Sequence, residues 1–378
     1  MSGIYIHIPF CRKKCSYCDF HFSTSLKYKT ELLAALQKEI KLKQKLFEKE
    51  TVNTIYFGGG TPSILNELEL NQLVEIIHNN YNVDENVEFT IECNPDDITT
   101  KKLNEYKKSG VNRLSLGVQS FFDDDLQFFN RAHNANQAEQ SILKTQDTGI
   151  ENITIDLIYN SPLLTLKKWE QNLDKFISLN VPHLSAYTLT VEPKTALHHL
   201  VKTNQTILPS DEQAIEQFKL LIEKTKQAGL VHYEVSNFGK EDYFSQHNSN
   251  YWKGENYLGI GPSAHSFIKN SKVQKRSWNV ANNTKYIKAI NQNIPYAEEE
   301  LIDEKTAFNE YILTRLRTIW GLDLEYIKTF NPLLVNHFEK ELEAYKNSEF
   351  ITISKNTLTL TTKGIFVVDK ITADLFYV

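Results

Sequence analysis

The sequence contains little cysteine, with four residues in 378, and no apolar run long enough to cross a bilayer. It also has no N-terminal signal-peptide pattern, no internal repeat and no low-complexity linker. The net charge of −5 provides no basic face, so we predict no nucleic-acid partner. A disulfide-stapled secreted fold is excluded as well, because the cysteines are few and clustered. These absences predict a cytoplasmic, enzyme-sized globular protein, and they are compatible with a peripheral membrane contact or a homodimer.

Three of the four cysteines fall within eight positions, as Cys11, Cys15 and Cys18. Their spacing is C-x3-C-x2-C, and a short apolar strand precedes them. Thiolates this close repel one another and oxidise readily, so the usual reason to gather them is a shared metal. Three thiolates can hold three irons of a cubane 4Fe-4S cluster and leave the fourth iron open to a small chelating molecule. We therefore predict a 4Fe-4S cluster at this loop.

A zinc knuckle is the alternative interpretation of the same cysteines, with His21 completing a Cys3His set. The missing second pair of ligands argues against zinc, and the spacing suits a cubane held by one loop. Cys93 is a further candidate ligand, but a lone cysteine at a strand end is more often a buried free thiol. We interpret Cys93 as no ligand.

Strand and helix patterns alternate about six times between the N-terminus and Gly229. After the first strand, the predicted strands are Val52–Phe57, Val87–Glu92, Arg113–Val118, Ile153–Ile158 and His183–Leu189. Such alternation predicts a parallel sheet with outer helices, either a closed barrel or an open doubly wound sheet. In both cases the chemistry belongs at the carboxyl ends of the strands.

The pattern changes after residue 230. Residues 231–280 are predicted to be a loop-rich, aromatic stretch, followed by a charged region near Glu298–Asp303. Two helices, Lys305–Ile319 and Pro332–Lys346, and a hairpin around Lys355 and Asn356 then predict a small winged-helix-like domain. Because this segment has no basic recognition face, we interpret it as a cap or a docking domain. The predicted boundaries are 1–230, 231–300 and 301–378.

The cysteine spacing, with Tyr17 just before Cys18, resembles the radical S-adenosylmethionine (SAM) superfamily. The surrounding YIHIPFC and the later GGGTPS resemble its coproporphyrinogen III dehydrogenase-like branch, which includes the HemN enzymes and the HemW-type haem chaperones. The resemblance covers nearly the whole chain. It implies an α/β fold, a partial (β/α)6 radical SAM barrel, with a HemN-type C-terminal domain. The cofactors it implies are a 4Fe-4S cluster and SAM.

Polar and glycine residues at the predicted strand ends match SAM contacts of the family. Glycines after a strand remove side chains, so that backbone amides can approach a ligand. Arginine pairs with a carboxylate, and aspartate or glutamate accepts hydrogen bonds from an ammonium group or ribose hydroxyls. Each of these residues alone is as easily a cap or a salt-bridge partner. By resemblance, the SAM-binding residues are Tyr5, Tyr17, Gly59, Gly60, Thr61, Glu92, Gln119, Arg131 and Asp156.

The stretch HNSNYW, residues 247–252, is the second informative motif. Histidine is a common axial ligand of haem iron, and tyrosine and tryptophan can face a porphyrin plane. The stretch resembles the HNxxYW motif of the HemW-type haem chaperones. That resemblance makes His247 the candidate haem ligand and Tyr251 and Trp252 candidate packing residues. The alternative is a polar loop anchored by Trp252.

Two departures from the dehydrogenase pattern favour the haem chaperone. The dehydrogenases carry a further cysteine two residues after the third ligand, where this sequence has Phe20, and they carry a longer N-terminal extension. We therefore expect haem, or another porphyrin, as cargo and acceptor haemoproteins such as respiratory enzymes as partners. The alternative is an oxygen-independent coproporphyrinogen III oxidase that makes protoporphyrinogen IX by SAM-dependent decarboxylation. A third hypothesis is a zinc-stabilised binding protein without enzyme activity.

Overall fold

The first six strands form a continuous parallel array in the computed structural model, which describes residues 2–270 and 273–378. These strands are β1 (Ser2–Ile8), β2 (Thr51–Gly59), β3 (Asn82–Cys93), β4 (Arg113–Gln119), β5 (Asn152–Tyr159) and β6 (His183–Thr188). Each pairs in parallel with the next one along the chain. The predicted strand–helix alternation is therefore confirmed, and all six carboxyl ends lie at one edge.

Helices connect these strands and cover the array. They are α1 (Lys29–Leu42), α2 (Glu67–Asn80), α3 (Thr100–Lys108), α4 (Asp123–Phe128), α5 (Ala135–Asp147), α6 (Leu166–Ser178), α7 (Ala196–Lys202) and α8 (Asp211–Gln227). In α6, the hydroxyl of Thr165 accepts a hydrogen bond from the amide of Lys168 and caps the first turn. Its buried residues Trp169, Leu173 and Phe176 recur at helical spacing, so one stripe packs on the sheet.

Both edges of the parallel array are extended by shorter strands. β7 (Val231–Glu234) and β8 (Asn237–Gly239) continue the sheet antiparallel beyond β6. Beyond β1 lie β9 (Asn256–Ile260), β10 (His265–Lys269), β11 (Gln274–Asn279) and β12 (Ala297–Leu301). Only β9 of these is parallel to its neighbour β1, and the other pairs are antiparallel. The ends of the 12-stranded sheet are β12 and β7, so the barrel is partial and open.

The prediction that residues 231–280 are loop-rich is wrong. Besides β7–β11 this stretch contains helix α9 (Gln246–Lys253), and helix α10 (Asn283–Gln292) follows. The predicted charged connection is largely the edge strand β12, whose acidic side chains point to solvent and protect a sheet edge. The sequence does not predict these strands, because three to six residues are too few to establish a hydrophobic period.

A second apolar core lies in the C-terminal segment, formed by residues such as Phe308, Ile312 and Phe338. Its elements are α11 (Glu304–Leu316), β13 (Leu322–Asp323), α12 (Leu324–Ile327), α13 (Pro332–Leu342), β14 (Ile351–Ser354), β15 (Thr357–Leu360), α14 (Thr362–Ile365) and α15 (Val368–Leu375). Lys355 and Asn356 both have positive φ, as a two-residue hairpin turn requires. The helix–helix–hairpin prediction is confirmed, whereas the three domain boundaries stay predictions.

The parallel strands are buried on both faces. Ile4, Ile6 and Ile8 of β1 are fully inaccessible, because β1 lies between β2 and β9 and is covered by helices. Among the described residues, no helix is both long and apolar enough to cross a membrane.

Candidate functional site

A cavity of about 860 Å³ lies at the carboxyl ends of the parallel strands. Most of the residues predicted to bind the cluster or SAM line it: Cys11, Cys15, Tyr17, Cys18, Gly59, Gly60, Thr61, Glu92, Gln119, Arg131 and Asp156. Tyr5 lines instead an adjoining cavity of about 480 Å³, together with Tyr251. We call the larger one the main cavity and the smaller one the second cavity. The tertiary fold thus gathers residues from five strand ends at one place.

The three cysteines occupy the loop that follows β1. The amide of Cys11 donates to the carbonyl of Ser23 at 3.0 Å, which closes the loop on itself. The Cys11 sulfur accepts a hydrogen bond from the Thr61 hydroxyl at 3.4 Å, and the Cys15 sulfur accepts one from the Arg131 guanidinium at 3.2 Å. Burial raises the pKa of the Cys11 thiol, and it raises that of Cys18 to about 11. Such thiols need a metal cation nearby before they lose their protons.

The cysteine arrangement fits a cubane cluster. Among residues 2–270 and 273–378, no three His, Cys, Asp or Glu side chains converge closely enough to hold one metal ion. In a cubane each thiolate binds a different iron, so the sulfurs can stand apart around the open space of the main cavity. His21, the fourth ligand of the zinc alternative, instead shares a hydrogen bond with Asn283 Oδ1 at 2.7 Å. The loop therefore fits a cubane cluster, in which each iron takes one thiolate.

Arg131 connects the cysteine loop to the strand ends. Besides Cys15, its guanidinium donates to Asn94 Oδ1 at 2.7 Å and to the Gly117 carbonyl at 2.8 Å. Burial opposes its charge, but the interactions with Tyr17, Cys15 and Asp96 raise the Arg131 pKa overall. The buried Nε has no hydrogen-bond partner among the described residues. A permanently charged guanidinium that lines the main cavity is suited to a ligand carboxylate.

Two carboxyl groups line the wall of the main cavity. Glu92 accepts hydrogen bonds from the Tyr56 hydroxyl at 2.9 Å and the Gly59 amide at 3.1 Å. Desolvation raises the pKa of Glu92 to about 7 and that of Asp156 to about 6, and the negative charge of Asp156 adds to the shift of Glu92. Two carboxyl groups that resist ionisation in this way favour a cationic ligand, which would offset the lost hydration.

The glycine loop is packed tightly against the cysteine loop. A Cβ atom on Gly59, whose φ is +106°, would lie 2.4 Å from the His7 ring, and one on Gly60 would lie 2.7 Å from the Phe10 backbone. The Gly59 amide is bonded to Glu92 and the Gly60 amide to the Ile8 carbonyl. Both amides are thus engaged within the protein. The glycines are required by close packing, and their contact with SAM stays a prediction.

Arg113 is a cavity residue that sequence reasoning missed. It is 2% exposed, its guanidinium bonds Thr154, and its Nε lies 3.9 Å from a carboxylate oxygen of Glu88. The only signal in the sequence is an arginine at the start of an otherwise apolar strand. Such a buried cation is retained because it has partners on two neighbouring strands.

The HNSNYW motif lies on helix α9, not in a loop. His247 is 2% exposed, and its Nδ1 and Nε2 form hydrogen bonds with the hydroxyls of Thr54 at 2.8 Å and Tyr251 at 2.7 Å. The ring also stacks on Tyr56 with centroids 4.9 Å apart. Burial lowers the pKa of His247 to about 3, so the ring is neutral. In this conformation His247 has no free nitrogen for iron.

The predicted haem residues are therefore separated. Tyr251 lines the second cavity, whereas His247 lies behind it and lines neither cavity. Trp252 is half-buried and also lines neither. The anchor of the motif is His247 rather than Trp252, and haem binding by these three residues stays a prediction.

Comparisons with known proteins agree with this architecture. Residues 5–184 match the radical SAM superfamily, and residues 302–367 match the HemN C-terminal domain. The chain is 34% identical over 368 residues to the heme chaperone HemW of Bacillus subtilis (strain 168), with 96% of both chains covered. It is 32% identical to the heme chaperone HemW of Lactococcus lactis subsp. lactis (strain IL1403), covering 96% of this chain and 94% of that one.

Among solved structures, the coproporphyrinogen III oxidase HemN of Escherichia coli, a radical SAM enzyme, has the same fold. Its TM-score is 0.85 at 22% identity, with 99% of this chain and 89% of that chain covered. The match to HemW proteins along nearly the full length, together with the three cysteines around the main cavity, leads to one conclusion. The chain belongs to the HemW family of the radical SAM superfamily.

Proposed function

We propose that this protein is a haem chaperone that binds haem and transfers it to acceptor haemoproteins. The observation that carries the proposal is 34% identity to a heme chaperone over 96% of both chains. Phe20 supports it, because it stands at the position where the dehydrogenases carry a further cysteine. The resident cofactors are a 4Fe-4S cluster and SAM, in keeping with the superfamily.

Cys11, Cys15 and Cys18 would hold the cluster, which supplies an open iron and an electron for SAM when reduced. Arg131, whose guanidinium lines the main cavity, would bind the SAM carboxylate. Glu92 and Asp156 would accept hydrogen bonds from the ammonium group or the ribose hydroxyls. The partial barrel would exclude water from this site, because the carboxyl ends of the strands surround it.

The haem acceptors in this proposal are haem-containing enzymes such as those of respiration. We place the transfer in the cytoplasm, at a peripheral contact with the membrane that holds such acceptors. A homodimer is part of the same proposal. Sedimentation of the reconstituted protein with and without vesicles of acidic phospholipid would test both the dimer and the contact.

Oxygen-independent coproporphyrinogen III oxidation is the second candidate. The specific observation in its favour is the main cavity of about 860 Å³ beside the cysteines, in a fold shared with HemN. Under that candidate, each of two propionate side chains would lose carbon dioxide, one hydrogen atom and one electron to become a vinyl group, and SAM, cleaved to methionine and 5′-deoxyadenosine, would accept the hydrogen atom and the electron. Phe20 and the identity to HemW proteins favour the chaperone instead.

The deciding experiment uses anaerobically reconstituted protein. One sample is offered SAM, dithionite and coproporphyrinogen III, and a parallel sample is titrated with haemin while the Soret band is recorded. Stoichiometric haem binding without protoporphyrinogen is expected. Protoporphyrinogen formation would establish the oxidase instead. Zinc in place of iron and sulfide in metal analysis would establish the zinc-stabilised binding protein.

A further inference from the structure

The second cavity lies beside the main cavity, and the two share Asp19, Phe20, Gly59 and Glu92 as walls. Its volume of about 480 Å³ falls within the range of roughly 300–1,000 Å³ in which small-molecule sites occur. The rest of its lining is aromatic and imidazole side chains, with one serine: Tyr5, His7, His21, Tyr251, Tyr257, Ser263 and His265. These aromatic and imidazole side chains suit a flat aromatic ligand with a metal centre, while Asp19 and Glu92 make the shared wall acidic.

His265 is the imidazole of this cavity that has free nitrogens. It is exposed, its ring stacks on Trp278 with centroids 6.2 Å apart, and neither nitrogen has a hydrogen-bond partner among the described residues. His7 uses both ring nitrogens, in bonds with the Tyr5 hydroxyl and the His21 carbonyl, and His21 uses Nε2 in a bond with Asn283, so His265 differs from both in having neither nitrogen engaged among the described residues. Desolvation and the nearby positive charge of Arg276 lower the pKa of His265, which keeps the ring in the neutral, metal-binding form.

The backbone holds His265 at the cavity mouth. It begins β10, directly after a tight turn in which Gly261 and Ser263 both have positive φ. The neighbouring strand β9 passes so close that a Cβ on Gly259 would lie 2.0 Å from the His265 carbonyl oxygen. The backbone of His265 is therefore held by a tight turn and by the close approach of β9.

His247 does not line the second cavity itself, but it contacts two of its walls: it stacks on Tyr5 and hydrogen-bonds Tyr251. Its Nε2 lies 2.7 Å from the Tyr251 hydroxyl, while Nδ1 is held by Thr54. Tyr251 in turn packs edge-to-face on Tyr257 with centroids 4.5 Å apart, and both tyrosines line the second cavity. The geometry makes His247 a positioning residue that orients an aromatic wall.

We propose that the second cavity is the haem site, with His265 as the ligand of the haem iron and His247 as a positioning residue for Tyr251. The inference rests on the proposed haem-chaperone function. It assigns the iron to a different histidine from the one in the HNSNYW motif. The shared walls place the haem next to the cluster and SAM.

The test is a haemin titration of anaerobically reconstituted full-length protein, with optical and electron paramagnetic resonance spectra of the bound iron. His265→Ala is expected to weaken haem binding at least tenfold and to remove the spectral signature of imidazole ligation. Added free imidazole should restore that signature. His265→Tyr should bind haem again, with the charge-transfer band of a tyrosinate ligand.

Two further variants separate the roles. His247→Ala should keep the imidazole signature, with haem affinity reduced several-fold because Tyr251 loses its partner. His199→Ala removes another exposed histidine, which lines neither cavity, and should change nothing. An unchanged signature in His265→Ala, with loss of that signature in His247→Ala, would overturn the inference and leave the chaperone function standing. No haem binding by the unmodified protein would overturn the chaperone function itself.

Discussion

His247 and Tyr251 lie one helical turn apart on α9, with imidazole Nε2 and the phenol oxygen 2.7 Å from each other. Residues four apart share one face of a helix, so the spacing of histidine and tyrosine in HNSNYW is a helical pairing. The pair joins the buried Thr54 on β2 to the aromatic wall of the second cavity. The motif therefore builds a wall at that cavity, and the iron ligand that we propose comes from another strand.

Glu88 is expected to hold α9 in place. Its carboxylate accepts hydrogen bonds from the amides of Gln246 and His247, both at 3.0 Å, and faces the buried Arg113. Glu88→Ala removes the carboxylate that faces Arg113 and leaves the amides of Gln246 and His247 without their acceptor, so we expect a loss of roughly 3–5 kcal/mol in the free energy of unfolding. Urea unfolding measures this loss of stability.

The matched control is Glu85→Ala, an exposed glutamate on the same strand, expected to stay within about 0.5 kcal/mol of the unmodified protein. Equal stability of the two variants would show that Glu88 does not support the helix.

Cys15→Ser should abolish cluster assembly while the protein still folds, because only one half-buried sulfur atom is exchanged. Iron and acid-labile sulfide are measured after anaerobic reconstitution, and circular dichroism reports the fold. Cys93→Ser is the control, since Cys93 is buried with its sulfur 3.9 Å from the Tyr106 hydroxyl and should leave iron and sulfide unchanged. A full complement of iron in Cys15→Ser would contradict the ligand assignment.

SAM affinity should depend on pH through Glu92. Its pKa is raised to about 7, so the carboxylate is protonated below that pH and loses its attraction for a cationic ligand. Affinity is expected to be constant above pH 8 and to fall up to about tenfold per pH unit below 7. Isothermal titration from pH 5.5 to 8.5 measures it.

Glu92→Gln cannot ionise at this position, so its SAM affinity should be weak at high pH and should not change near pH 7; only the fall near pH 6 that Asp156 causes should remain. A slope in the variant as steep as that of the unmodified protein would assign the titration to another group.

Arg131→Lys should weaken SAM binding roughly 10–100-fold, because lysine keeps the charge but cannot donate to Cys15, Asn94, Gly117 and a ligand carboxylate at once. Equilibrium dialysis with labelled SAM gives the affinity. Iron content should remain near that of the unmodified protein, since Arg131 is not a ligand. Unchanged SAM affinity would remove Arg131 from the carboxylate site.

The parallel strands could be predicted because long buried strands alternate with amphipathic helices, and the polar residues after them mark one sheet edge. This pattern predicts Glu92 and Asp156 as site residues. It does not predict Arg113, because a buried cation looks like a surface residue until its partners are known. The strands over 231–280 were missed because each is too short to show a period.

The sequence by itself determined the cysteine loop, the (β/α) order and the family, because each depends on residues close together along the chain. Only the tertiary structure decided that His247 is enclosed by Thr54 and Tyr251 and that His265 lies free in the second cavity. That cavity exists because β9 pairs with β1, which brings residues about 250 positions apart to one wall. Local spacing carries no information about such pairing, since it arises from the burial of whole strands against one another.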